Sequence, residues 1–502
     1  MHFDKLKSRK KIFFRIAGLC IVAGWLVMMG LLVKKVHFTE TPPSTGIANG
    51  QTGIEGDERE WKEIFLKERK VGYAMSMLGS QDQEYVVREE LFLRLDLMDL
   101  GQSLYASTQV RLDRSLRLKN FQMMMSSGVV RFEISGKVEE RVLVVTDARP
   151  GAQRVQRIPL EEIPMLAASL PLFFKTRSFT PGERFSLPLF DPVTLSQTKI
   201  PFKVKGKETV TLNRIPYEAF RLEGELWGNP IIFWIDEEGG TLKEEGFMGL
   251  TTVRSSASKA PKGLEGEDGD DLYEMFAVRA NRSIQNPEGL VYLKLRLEGV
   301  DLSNPYLNQS RQRMDGALLE ITKELLPSGN LPPLPFQDLP EEVLSFMAPE
   351  FHVESDDPQV MNMAAEIAGD SRDPLSVAGG LLQWVYRNIE KKPVLSIPSA
   401  LEVLRTRVGD CSEHAALLTA LLRASGIPAR ISIGLVYSRD KFYYHAWTEA
   451  WLGAWISMDP TLNQMPVDAS HIKWIEGNLS RQVEIVRVMD RLKIEVIDFR
   501  HD

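Results

Sequence analysis

Two cysteines in 502 residues, Cys20 and Cys411, are too few for a disulfide framework. Cys20 falls in an apolar N-terminal run, so Cys411 has no partner within the chain, and the count says nothing of the redox state of the compartment. Positive charge is not in excess either. The formal net charge is −7 and the sequence pI is about 5.7, with no basic stripe of the kind nucleic acid demands, so no nucleic-acid partner is expected. There is no His/Cys cluster at metal-ligand spacing, no glycine-rich phosphate loop and no internal repeat. No metal and no cofactor are therefore expected. The acidic run Gly263 to Asp271 (GLEGEDGDD) lacks the ordered D-x-D-x-D-G pattern and distant Glu of a calcium loop, and reads as a solvated charge run.

What is present is ordinary globular composition, 43% hydrophobic and 26% charged, which excludes a largely disordered chain. The length implies two or three domains. One apolar run is long. From Ile16 to Val33 (IAGLCIVAGWLVMMGLLV) there is no charge, and at the rise of a helix it would extend about 27 Å, close to the hydrocarbon thickness of a bilayer. Lys5, Lys7, Arg9, Lys10, Lys11 and Arg15 precede it, whereas only Lys34 and Lys35 follow closely. The charge bias predicts a single membrane anchor with the N-terminus inside the cytoplasmic membrane and the bulk of the chain outside. Its length and its Val33-Lys34-Lys35-Val36 end do not suit a cleaved signal peptide.

Beyond a Thr/Pro/Gly/Ser-rich spacer the texture changes to short runs of period two. Val71–Met75, Tyr85–Leu95, Ser103–Leu112, Val129–Ile134, Arg141–Val145, Phe202–Val204, Glu218–Leu222, Ile231–Ile235 and Val291–Leu297 predict a mostly antiparallel β region. A short helix is expected within Ile163–Phe173. This region carries no recognisable chemistry. Pro327 to Pro340 reads as a linker, after which Pro358–Ile367, Pro374–Ile389 and Ser399–Arg405 have helical spacing. On the second of these, Trp384 is expected in the core and Gln383 at the surface. A Gln or Trp can bind an oxyanion in cysteine hydrolases, but helical position alone does not assign that role.

The chemistry-bearing stretch is Arg405 to Leu462. Asp410 is placed to cap a helix and Glu413 to close a capping box, which puts Cys411 at the first helical position. A thiol there meets unpaired N–H groups and the positive end of the helix dipole, so its pKa is expected to fall where the site is not desolvated. The same N–H groups are candidates for an oxyanion hole. His445 lies in a strand, FYYHAWTEAW. With Leu452-Gly453-Ala454 as the turn, Trp451 pairs with Trp455 and Trp447 with Asp459, which makes His445 and Asp459 diagonal neighbours on one face. Cys411 as nucleophile, His445 as base and Asp459 as orienter is the arrangement this predicts. His414 is the alternative base. Glu449 shares the strand face and is read as exposed or structural.

These residues carry a resemblance. GDCSEHA at Gly409–Ala415, LRASGIPAR at Leu422–Arg430, HAWTE at His445–Glu449 and WISMDPT at Trp455–Thr461 occur in the order seen in the transglutaminase-like superfamily, over roughly Ser371 to Leu462. The resemblance implies a papain-like α+β core with Cys411 as nucleophile, His445 as base and Asp459 as orienter. That family joins glutamine side chains to amines, and also contains peptidases and amidases.

The expectation is thus an α+β chain in five parts: a cytoplasmic tip and transmembrane helix (1–35), a flexible linker (36–57), a β-rich region (58–326), a proline-rich linker (327–349) and a transglutaminase-like domain (350–502). Its expected function is thiol chemistry on amide bonds of a protein or peptide substrate, by hydrolysis or by acyl transfer. The alternative is a membrane-tethered binding or assembly protein that uses core and β region for recognition. The sequence does not specify the oligomeric state.

Overall fold

The chain divides into two units, residues 1–54 and 55–502. The computed structural model describes residues of the second unit only: 55–502 apart from 99, 150–153, 227–228, 247–248, 265–270, 330, 396, 478–480, 482–484, 486–487 and 490. The expected membrane span, Ile16 to Val33, lies outside the described residues. Among those residues no helix is long and apolar enough to cross a membrane, and the described chain, with its large antiparallel sheet, is mostly β where the expected class was α+β. The fold expected for the whole chain is corrected on both counts. The single-pass placement at the cytoplasmic membrane is corrected with it.

Alternation of apolar and polar residues produces the dominant element, a 14-stranded antiparallel sheet. Eight strands from Glu55–Leu66 to Val155–Pro159 follow one another as a meander. Six more, from Arg184–Asp191 to Leu250–Ser255, form a second meander, and the first and last strands of the series, Glu55–Leu66 and Leu250–Ser255, pair to join the two. The sheet curls over its own apolar face. Phe121 in the first meander packs against Phe190 in the second at 5.9 Å, with Leu166 and Leu172 from the connecting segment in the same cluster.

The second core is built around the helix Cys411–Ala424. Its middle, AALLTALL, is apolar on every face, and a helix of that kind must be surrounded; all its residues up to Arg423 are buried. The helices Pro358–Ala368, Pro374–Asn388 and Ala400–Thr406 pack on one side, each opened by a capping Asp or Ser (Asp357, Asp373, Ser399). On the other side lie the strands Ala429–Ser438 and Lys441–Trp451, with His471–Glu476 beyond the first of them. A further sheet of Leu290–Glu298, Gln312–Asp315, Leu318–Thr322 and the C-terminal Lys493–His501 shares this core.

Buried charge joins the large sheet to the helical core. Arg149, 6% exposed, donates to Asp147 on its own side, to Ser399 Oγ at 3.2 Å and to Glu354 Oε1 at 3.4 Å across the junction, and lies 3.5 Å from Glu402. Phe351 and Ile397 enter the apolar cluster of the sheet at the same place.

Candidate functional site

The capping box forms. Asp410 accepts N–H bonds from Ser412 and from the third helical position, and Glu413 Oε2 returns a bond to the Asp410 N–H at 3.0 Å. The cap spends the N–H groups of Ser412 and Glu413, so the oxyanion donor that it leaves unused in the first turn is the Cys411 N–H. Gly409 admits this packing, because a Cβ there would sit 2.2 Å from the Glu413 Cβ.

The hairpin has the register its turn dictates. Trp451 pairs with Trp455 and Thr448 with Met458, and Gly453 turns the chain at φ +81°. The ladder ends one residue before Asp459, which instead bridges to Gln464. This turn directs the carboxylate back under His445. His445 Nε2 lies 2.6 Å from Asp459 Oδ2, which leaves Nδ1 as the ring atom on the thiol side, where imidazole and thiol act on each other electrostatically. The three residues expected to act together are therefore brought together, all buried, with Cys411 5% exposed.

The thiol is desolvated, so the condition for a lowered pKa is not met. Burial, then the Asp410 charge, push the Cys411 thiol up despite bonds from His445 and the Ala446 N–H that favour the thiolate. Desolvation here outweighs the helix terminus. For His445 burial works against the cation, but the Asp459 charge and hydrogen bond raise it to about 9. Asp459 is fully buried, yet His445 and His471 hold it well below the usual carboxylate range. Its other oxygen accepts from the Thr461 and Leu462 N–H groups at 2.7 and 3.0 Å.

His414 stands elsewhere. Its Nδ1 is 2.7 Å from the Asp410 carbonyl, one turn back in its own helix. Gln383 is exposed, and Trp384 is partly buried under the Arg407 guanidinium at 4.5 Å. Glu449 is buried, not exposed. Arg430 and Lys473 each reach its Oε2 at 2.7 Å, and they hold it at about 2 against the burial that would raise it.

Two neighbours escape a reading of the sequence. Tyr273, on the short helix Leu272–Phe276, sets its hydroxyl against the Cys411 thiol. Glu274 fastens this helix by accepting from Tyr443 at 2.6 Å and pairing with Lys441, and Val278–Arg279 adds a short antiparallel pairing to the His445 strand. The second is His471, whose Nε2 lies 3.1 Å from the same Asp459 oxygen. Tyr273 follows directly on the acidic loop and bears no motif. The spacing Asp468-x-x-His471 is the signal that could have drawn attention to His471. His445, Asp459 and His471 bring potential ligand atoms within 4.8 Å of one another, but the two imidazole nitrogens meet one carboxylate oxygen at hydrogen-bond distances. A cation between them would have to displace both protons.

Residues 361–460 match the model of the transglutaminase-like superfamily. This segment is a transglutaminase-like core. Among solved structures, the chain is similar to a candidate cysteine protease from Cytophaga hutchinsonii, at 18% identity over 42% of this chain and 86% of that one, with a TM-score of 0.28. It is also similar to the periplasmic domain of TgpA from Pseudomonas aeruginosa bound to ethylmercury, at 18% identity over 36% and 91%, with a TM-score of 0.23. At these scores neither likeness carries an argument. No curated protein sequence matches the chain. The transglutaminase-like segment contains Cys411, His445 and Asp459, and it ends before His471.

Proposed function

We propose that the protein is a cysteine-dependent enzyme that acts on amide bonds of a protein or peptide substrate through an acyl-enzyme on Cys411. The observation that carries this reading is a buried helix-start thiol that acts electrostatically on an imidazole hydrogen-bonded to a buried carboxylate, within a transglutaminase-like core. In molecules whose His445 ring is neutral, a minority below about pH 9, His445 accepts the thiol proton as Sγ attacks the carbonyl carbon, and a C–S bond forms as the carbonyl electrons move to oxygen. The Cys411 N–H is the helix donor available to that oxyanion. Collapse breaks the C–N bond, and His445 gives its proton to the departing amine. Water or a second amine then attacks the thioester with His445 as base, and the C–S bond breaks to return the thiol. Asp459 keeps Nε2 protonated and Nδ1 aimed at sulfur throughout, which is the orienter's role.

Incubation of the protein with an unstructured protein substrate and a tagged primary amine tests this reading. Tag incorporation indicates acyl transfer, and new chain termini or ammonia release without incorporation indicate hydrolysis. Cys411→Ala is expected to abolish either product. Undiminished product from that variant would overturn the reading.

A further inference from the structure

Asp468, His471 and Asp459 form a buried series behind the thiol site. His471 Nε2 is 3.1 Å from Asp459 Oδ2, and its Nδ1 is 3.2 Å from Asp468 Oδ1. Asp468 is itself held by the Ser470 N–H on Oδ1 at 2.7 Å and by Gln464 Nε2 on Oδ2 at 2.7 Å. Asp459 is 0%, His471 1% and Asp468 3% exposed. An ionised carboxylate only accepts, and a neutral imidazole donates from one nitrogen alone. A ring whose two nitrogens both meet carboxylates already receiving other N–H groups is an imidazolium.

We infer that His471 is a positioning residue for the thiol site: a buried imidazolium, locked by Asp468, that shares the Asp459 charge with His445 and fixes the carboxylate oxygen that faces it. The inference rests on the thiol-enzyme reading. If His445 were the only cation beside Asp459, the full attraction would hold its proton and oppose transfer to a departing amine. His471 donates to the same oxygen and divides that attraction. The two rings have centroids 5.6 Å apart, where a second positive charge lowers the proton affinity of the first by about two pH units at an effective dielectric constant near 20.

The groups facing His471 agree with this assignment. Besides Asp459, Asp468 and His445, the Trp447 ring meets it edge-on at 5.4 Å. Of the cations near it among the described residues, Arg311 is occupied by Glu324 and by the carbonyls of Val467 and Asp468, and Lys473, two residues along the strand, by Glu449 and Glu476. Burial alone would lower His471, but Asp468 and Asp459 hold it at about 9. The backbone is built for the approach. Gly434 pairs with His445, and a Cβ on it would lie 1.8 Å from the Ile472 carbonyl oxygen, so the strand that begins at His471 passes this close only where no side chain intervenes.

The test uses the full chain and two readouts. Selective ¹⁵N labelling of histidine, with the resonance assigned through His471→Gln, should show both ring nitrogens of His471 protonated at pH 7. A single-tautomer neutral ring would overturn the inference. The pH dependence of Cys411 alkylation by iodoacetamide should move upward by about one pH unit in His471→Gln, with a fall of about tenfold in rate at neutral pH. An enhanced wild-type rate whose profile His471→Gln leaves in place overturns the inference alone. A wild-type Cys411 that alkylates like a free thiol overturns the thiol-enzyme reading, and the inference with it.

Discussion

Replacing Glu449 by Gln should destabilise the hairpin that carries His445 and Asp459 by about 3 kcal/mol at neutral pH. Glu449 and Glu476 alternate with Arg430 and Lys473 in a buried cluster. Arg430 and Lys473 each sit 2.7 Å from Glu449, and each lies 2.8 Å from Glu476. The substitution leaves two buried cations facing one carboxylate, the situation in which breaking an ion pair is expensive because its partner stays desolvated. A second route gives a similar figure. A carboxyl held at about 2 against an ordinary 4.5 corresponds to about 3 kcal/mol at pH 7. The sign follows from the lowered pKa. This stabilisation is fully present above pH 4.5 and is lost as the pH falls through about 2. Urea unfolding of wild type and Glu449→Gln should therefore show the full deficit at pH 7 and about half of it at pH 3. A deficit below about 1 kcal/mol at pH 7, or one that does not shrink on acidification, would refute the reasoning.

Three further substitutions probe the surroundings of the site. Tyr273→Ala removes the hydroxyl that covers Cys411 and admits water to a thiol that burial pushes up; iodoacetamide should label Cys411 about tenfold faster at pH 7, and an unchanged rate would mean that Tyr273 does not gate the thiol. Gly434→Ala drives a Cβ against the Ile472 carbonyl oxygen and should cost about 1–3 kcal/mol, read as a lower thermal midpoint; a midpoint equal to wild type would contradict the close approach. Arg149→Met leaves Asp147 and Glu354 buried without their cation and should cost about 3–5 kcal/mol, with faster limited proteolysis near the junction; an unchanged digestion pattern would argue against this role.

What the sequence made legible near the site was local. The capping box is set by residues three apart, and the hairpin register follows from one turn with Trp451 and Trp455 at its ends. Both could be read because short-range geometry determines them. The period-two strands could likewise be read singly, but not their closure. The pairing of Glu55–Leu66 with Leu250–Ser255 joins distant segments, and no local pattern announces it. The lowered thiol pKa was expected only for a solvated site, and the depth of burial that removes this condition is a tertiary fact. His471 escaped for a related reason. Its strand is separated from the Trp455–Met458 strand that leads into Asp459 by two others, Ala429–Ser438 and Lys441–Trp451, and the missing side chain at Gly434 permits its close approach to the first of them.

Labelling of the full chain with a tagged thiol electrophile at pH 7, followed by peptide mapping, tests the central claim most directly. Cys20 is the chain's other cysteine and serves as the internal reference thiol once the protein is denatured. Native protein should be modified at Cys411, Cys411→Ala should lose this label, and His445→Ala should reduce the Cys411 rate by about 100-fold or more. Cys411 modified no faster in wild type than in His445→Ala would contradict it.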